Sequence, residues 1–293
     1  MRICKDCPRN CGADRSVSVG YCRSPEKFRA ARAALHFWEE PCLSRPNGSG
    51  AVFFSGCSLR CVYCQNYEIS SENKGVELSE DDLIDIMKSL VEQGAQNINF
   101  VNPTHYASAL AKLLERWKPP VPVVYNSSGY ENVETLKRLD GLVDIYLPDL
   151  KYIRSEKAKR YSSAPDYFEK AADALCEMRR QVSDKFDGEK MVSGMIIRHL
   201  ILPSNTNSSL EIIDWLCDNL PDTYVSLMAQ YTPVNDLSNY PEINRKITKR
   251  EYRKVLDYAL DKGMEKLFIQ ERCSADEGFI PDFDFSGIKT DDK

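Results

Sequence analysis

Three cysteines within eight residues, Cys57, Cys61 and Cys64, follow the spacing C-x₃-C-x₂-C. Thiolates at this density point to metal binding. A closed structural zinc site and an ordinary four-cysteine iron–sulfur cluster each need four protein ligands, and this group supplies three. The missing ligand leaves one metal position open to an outside molecule, which is what a site needs if a substrate or cofactor is to bind the metal directly. A second group, Cys4-x₂-Cys7-x₃-Cys11-x₁₀-Cys22, offers four thiolates. It can complete a tetrahedral site, and Gly12 and Gly20 permit the turns that gather its ligands. Its spacing fits a structural zinc and an auxiliary iron–sulfur cluster equally.

The remaining cysteines read differently. Cys42 is either a further ligand or a thiol on the substrate side, whereas Cys176 and Cys217 fall in helical patterns as packed residues. Cys273 ends the last strand pattern and is a functional candidate. Eleven cysteines in all, an odd number in two tight groups, argue against a disulfide framework. Metal explains them better in a reducing compartment.

These thiols need a scaffold, and the chain is long enough to build one. Its 293 residues, 42% hydrophobic, suit one large α/β unit with an appendage. With 39 basic and 44 acidic residues the net charge is -5, which gives no overall attraction for nucleic acid or an anionic membrane surface. No apolar run approaches the ~18 residues of a membrane span, and Met1–Cys4 lacks the apolar core of a secretory signal. A cytoplasmic location is the expectation.

Residues 1–45 show no long period and read as a small cysteine-rich metal-binding segment; residues 46–293 read as the main domain. In the latter, strands are expected at 51–56, 97–101, 121–125, 143–147, 195–202, 224–230 and 266–270. Helices are expected at 83–94, 106–117, 132–139, 155–183, 210–219 and from 248 to about 263. Ser79-x-x-Asp82 and Thr248-x-x-Glu251 are capping boxes, and 231–247 reads as a loop. Strands alternating with helices imply right-handed crossovers and a parallel sheet, a partial or full (β/α) barrel. A doubly wound open sheet fits less well, because no G-x-G-x-x-G follows the first strand. In a barrel the chemistry gathers where strands end, and the three-cysteine loop directly follows the first strand pattern.

The string Cys57-x₃-Cys61-x-Tyr63-Cys64 resembles the signature of the radical S-adenosylmethionine (radical SAM) superfamily. Its continuation Gln65-Asn66 is similar to the subset containing the pyruvate formate-lyase activating enzyme. Glu39-Glu40-Pro41, Gly48-Ser49-Gly50, Phe53 to Cys57 and Cys64 to Tyr67 together resemble the PflX-like branch of that subset. Asn97 to His105, Arg198 to Pro203 and Tyr240 to Arg245 extend the resemblance over most of the chain.

The resemblance implies a [4Fe–4S] cluster on Cys57, Cys61 and Cys64, whose unique iron takes the methionyl amino and carboxylate groups of S-adenosylmethionine. A reduced cluster then cleaves the sulfonium to methionine and a 5′-deoxyadenosyl radical, which abstracts a hydrogen atom. By the same resemblance Tyr63 packs on adenine. Asn66 either bonds the cofactor or caps the next segment. Relatives carry Gly-Gly-Glu after the second strand, where this chain has Asn102-Pro103-Thr104, so Asn102 and Thr104 are the candidate acceptors for the methionine amino group. His105 is either a proton donor or the opening of the following helix. Asp149-x-Lys151 matches a D-x-K pair facing the cofactor, on one side of a strand end. Arg198 is the candidate partner of the methionine carboxylate; its neighbour His199 faces away and reads as a packed histidine. Gln230 stands near a histidine position of the activating enzyme.

The expected activity is radical initiation on a protein or peptide, such as glycyl-radical installation in a partner enzyme, with flavodoxin or ferredoxin as reductant. Hydrogen abstraction from a small metabolite is the alternative among enzymes. A non-catalytic metal-binding or electron-carrier protein is the alternative outside them.

Overall fold

A computed structural model describes residues 3–269 and 281–288. Cys273 and residue 270 lie outside the described residues. The strands are β1 Phe28–His36, β2 Ser49–Phe54, β3 Val76–Leu78, β4 Ile98–Val101, β5 Val123–Ser127, β6 Ile145–Pro148, β7 Lys185–Asp187, β8 Lys190–Leu200, β9 Tyr224–Met228 and β10 Leu267–Ile269. The helices are α1 Pro41–Ser44, α2 Tyr67–Ser70, α3 Glu80–Glu92, α4 Ala107–Arg116, α5 Val133–Leu136, α6 Ser155–Ser162, α7 Tyr167–Gln181, α8 Thr206–Asn219 and α9 Lys249–Asp261.

The sheet order is β10-β9-β8-β6-β5-β4-β2-β1-β3. From β2 to β10 every neighbouring pair on this path is parallel; β1 is antiparallel on β2, and β3 on β1. Among the described residues the path is open, so the expected α/β barrel is a partial one. Successive residues face opposite sides of a strand. Phe54, Phe100 and Tyr106 therefore pack with Phe28 in the helix-side core, with ring centroids 5.3 to 5.8 Å apart. Phe53, Asn126 and Arg198 line a cavity on the other side. Each buried ring is worth about 3–5 kcal/mol against truncation to alanine.

Both expected capping boxes form. Ser79 Oγ accepts the Asp82 N–H at 3.1 Å and Thr248 Oγ1 the Glu251 N–H at 3.2 Å, with the carboxylates returning to the cap N–H groups. The expected helix 155–183 is two helices. Ser163 adopts φ 50° and Pro165 cannot continue the ladder, so α6 stops at Ser162 and α7 starts at Tyr167. The strand expected at 195–202 begins earlier, at Lys190, and pairs with β7 across Gly188. β1 lies inside residues 1–45, so part of that segment is built into the sheet.

Candidate active site

β2 delivers the chain to the cavity and Gly56 turns it. With φ at +85°, Gly56 occupies the left-handed region, and a Cβ there would stand 2.0 Å from Ser24 Oγ and 2.5 Å from the Cys22 carbonyl. The loop that follows is held throughout its length. Cys57 Sγ accepts the N–H groups of Leu59 and Arg60 at 3.3 and 3.5 Å. The Val62 N–H donates to the Tyr161 carbonyl at 2.9 Å, and Asn235 Nδ2 donates to the carbonyls of Val62 and Cys64, both at 3.1 Å. Ser162 Oγ donates to Cys61 Sγ at 2.9 Å. The same hydroxyl meets Tyr152 Oη at 2.7 Å, which meets Tyr63 Oη at 2.7 Å.

All three thiols line one cavity of about 210 Å³. Burial first, and Cys61 next, push the Cys57 thiol up to about 12 and raise that of Cys64. Desolvated neighbours of like charge stay protonated until a cation stabilises the thiolates.

Across the cavity stands a charged floor built from three distant parts of the chain. Arg198, on β8, donates from Nε to Asp149 Oδ1 at 2.9 Å and from Nη2 to Asn126 Oδ1 at 2.6 Å; its Nη1 lies 3.3 Å from Glu39 Oε2. Lys151 Nζ donates to Asp149 Oδ2 at 2.6 Å. Glu39 Oε1 accepts from Asn99 and Asn126 at 3.0 and 3.1 Å. Burial opposes ionisation of Asp149, but Arg198 and Lys151 outweigh it and hold the carboxyl below the usual range. For Glu39 burial prevails over Arg198, and the carboxyl is raised. Arg198 thus lines the cavity with its fork engaged by Asp149, Asn126 and Glu39. Glu39 and Asn126, absent from the candidates drawn from sequence, are its anchors, 159 and 72 residues away.

Of the other candidates, Tyr63, Asn66, Asn102, Asp149, Lys151 and Gln230 line the cavity. Tyr63 stands edge-on to Tyr152, Tyr161 and Tyr231. Asn66 makes no side-chain cap bond to α2, and its buried Oδ1 has no hydrogen-bond partner. Asn102, with φ at 61°, donates from Nδ2 to the Gly56 carbonyl.

Thr104 does not line the cavity. Pro103 starts a 3₁₀ turn over Thr104–Tyr106, and the Thr104 hydroxyl donates at 2.6 Å to buried Glu131 instead. His105 is buried within that turn, pairs with the Ser55 carbonyl at 2.8 Å and is pushed down to about 3 by burial and by Arg15. His199 is packed as expected, satisfied by the Leu150 carbonyl at 2.7 Å and Ser209 Oγ at 2.9 Å. Cys42 is not beside the cavity: it is buried in an apolar cluster with Leu43, Ile145 and Ile196. Cys217 packs on the main core, but Cys176 is exposed on α7.

The N-terminal cysteines lie outside the cavity, in the segment preceding β1. Among the described residues no set of three or more His, Cys, Asp or Glu has the geometry to hold a single metal ion. Three thiols on one loop are the number that a cluster with one open iron takes from the protein. The orphaned Asn66 oxygen and the charged floor add polar partners for an amino acid group beside it.

Comparison with known proteins agrees with this arrangement. The family model "Radical SAM superfamily" matches residues 51–216. The uncharacterised Methanocaldococcus jannaschii protein MJ0674 is 31% identical over 278 residues, 92% of this chain and 77% of its own length. Among solved structures, the FeFe-hydrogenase maturase HydG from Carboxydothermus hydrogenoformans superposes with a TM-score of 0.51 at 17% identity, over 78% of this chain. The chain spans 56% of that maturase's length, and the likeness concerns the fold. By the family model, which matches more than half of it, the chain belongs to the radical SAM superfamily.

Proposed function

We propose that this chain is a radical SAM enzyme of the pyruvate formate-lyase activating-enzyme type, of the PflX-like branch, acting on a protein or peptide. The observation that carries the reading is the meeting, in one cavity, of three buried thiols with the floor of Asp149, Lys151, Arg198 and Glu39. A [4Fe–4S] cluster held by Cys57, Cys61 and Cys64, with S-adenosylmethionine, supplies the electron and the adenosyl radical. The protein's own part is to exclude water, to hold the amino acid end between Asn66, Asn102 and the floor, and to pack the nucleoside by Tyr63.

A macromolecular substrate is supported by the rim. Phe37 and Trp38, the latter lining the cavity, are 50% and 58% exposed beside its mouth. Exposed aromatics next to a site are what a protein partner covers. On this reading the chain works in the cytoplasm with flavodoxin or ferredoxin as donor, and has no nucleic-acid or membrane partner. Among the described residues no helix is long and apolar enough to cross a membrane.

Anaerobic reconstitution with iron and sulfide, reduction and chromatographic detection of 5′-deoxyadenosine test the activity. Release that vanishes in Cys57→Ala supports it; a chain that never releases the nucleoside contradicts it. Adding candidate glycyl-radical enzymes and watching for a glycyl doublet by electron paramagnetic resonance tests the substrate class.

A further inference from the structure

The N-terminal thiols are gathered without the help of a core. Residues 3–27 form neither helix nor strand, and Ile3, Val17 and Val19 are 55%, 83% and 55% exposed. A segment that buries so little apolar surface needs another staple. The Cys4 N–H donates to the Ala13 carbonyl at 3.0 Å, and turns close at Cys7–Asn10 and Gly20–Arg23. Cys11 and Cys22 meet at Gly20, where a Cβ would sit 3.2 Å from Cys11 Sγ and 3.5 Å from Cys22 Sγ. Arg15 Nη1 lies 4.0 Å from Cys4 Sγ.

The segment is also fastened to the three-thiol loop. The Cys22 carbonyl accepts the Cys57 N–H at 3.2 Å, and Ser24 Oγ donates to the Ser55 carbonyl at 3.0 Å. Arg9, between Cys7 and Cys11, donates from Nε to the Ser58 carbonyl at 2.7 Å and from Nη2 to the Ser162 carbonyl at 2.8 Å. Ser162 is the residue whose hydroxyl reaches Cys61. One guanidinium therefore joins the N-terminal segment to both sides of the catalytic loop.

We propose that Cys4, Cys7, Cys11 and Cys22 hold a second, thiolate-ligated metal centre, and that this centre fixes the Cys57–Cys64 loop through the Cys22 carbonyl and Arg9. The fixing half rests on the reading of Cys57, Cys61 and Cys64 as cluster ligands; the metal half does not. Among the described residues no group of three or more His, Cys, Asp or Glu is already positioned to hold a metal ion. Either uptake of zinc pulls the thiols inward or an iron–sulfur cluster spans them, and the shared chemistry is four thiolates on a soft or borderline metal.

The test is zinc, iron and sulfide counting on the full chain, reconstituted anaerobically, with amide hydrogen exchange over residues 56–64. Cys57→Ala/Cys61→Ala is expected to retain about one zinc, or about four irons with sulfide, per chain. Cys7→Ser/Cys11→Ser is expected to lose that metal and to exchange at least about tenfold faster over 56–64, a loss of local stability. Arg9→Ala is expected to keep the metal yet show the faster exchange. Should the cysteine variant fail to fold, the metal content of Cys57→Ala/Cys61→Ala decides. No zinc and no iron there overturns the metal centre, and unchanged exchange in Arg9→Ala overturns the fixing. If the trio held no cluster, Cys57→Ala/Cys61→Ala would match the wild-type metal content, an outcome distinct from both failures.

Discussion

The two cysteine groups differ by one ligand, and the structure around each differs accordingly. The trio sits at the end of a parallel strand, opens on a cavity and faces a paired acidic and basic floor. The quartet sits in a segment of turns, outside that cavity, with Arg15 beside Cys4 and paired with Asp6. On the proposed reading, thiol number and surroundings together separate a site that reacts from one that holds. An incompletely ligated cluster needs a cavity for the incoming molecule, whereas a fully ligated centre needs only to be tied to its neighbours.

The largest test of this difference is Cys61→Ala. It is expected to remove all detectable nucleoside release, on the order of 10³-fold or more, while the N-terminal segment keeps its fold. Loss of both together in hydrogen exchange would show that the two groups form one unit.

Arg198→Met comes next. It leaves Glu39 buried without its cation and Asp149 with Lys151 alone, and should cost up to about 3–5 kcal/mol in urea denaturation. An unchanged midpoint would mean that the floor adjusts without its centre.

Glu131 lies behind the cavity wall, bonded to Thr104 and Tyr125, and burial raises its carboxyl to about 7. A carboxyl raised on folding stabilises the native state fully below the unfolded value near 4.5, and that contribution is lost as pH climbs to about 7. Glu131→Gln is therefore expected to stabilise the fold by about 2–3 kcal/mol at pH 8 and by little at pH 4. Denaturation at both values checks the sign; equal effects would refute it.

The smallest effect is expected at Ser162. Removing its bond to Cys61 Sγ with Ser162→Ala takes away about 1 kcal/mol of stabilisation of the reduced cluster. The reduced-to-oxidised ratio at fixed poise should fall about fivefold. A redox titration that shows no shift would place that hydroxyl among ordinary packing groups.

What could be read from sequence was what is local. The capping boxes, the loop after β2 and the polar strand ends at Asp149 and Arg198 are properties of a few adjacent residues. β1 escaped because Ala30, Ala31, Ala33 and Ala34 give no alternation of large apolar and polar side chains, although Ala30, Ala31 and Ala33 are buried. Arg198 was recognisable as needing a partner, but its pairing with Glu39 and Asn126 depends on strands brought together by the sheet. Thr104 was misplaced because spacing alone does not reveal that Pro103 winds a 3₁₀ turn and aims the hydroxyl at Glu131. Arg9, an unremarkable basic residue in sequence, acquires its role only from carbonyls 49 and 153 residues away.

The open iron is the claim on which the contrast rests. Electron paramagnetic resonance of the reduced, reconstituted protein before and after adding S-adenosylmethionine tests it directly. The account predicts a [4Fe–4S]⁺ signal that depends on Cys57, Cys61 and Cys64 and changes shape when the cofactor binds. A cofactor-responsive signal that persists in those variants, or a wild-type signal that the cofactor leaves wholly unaltered, would contradict it.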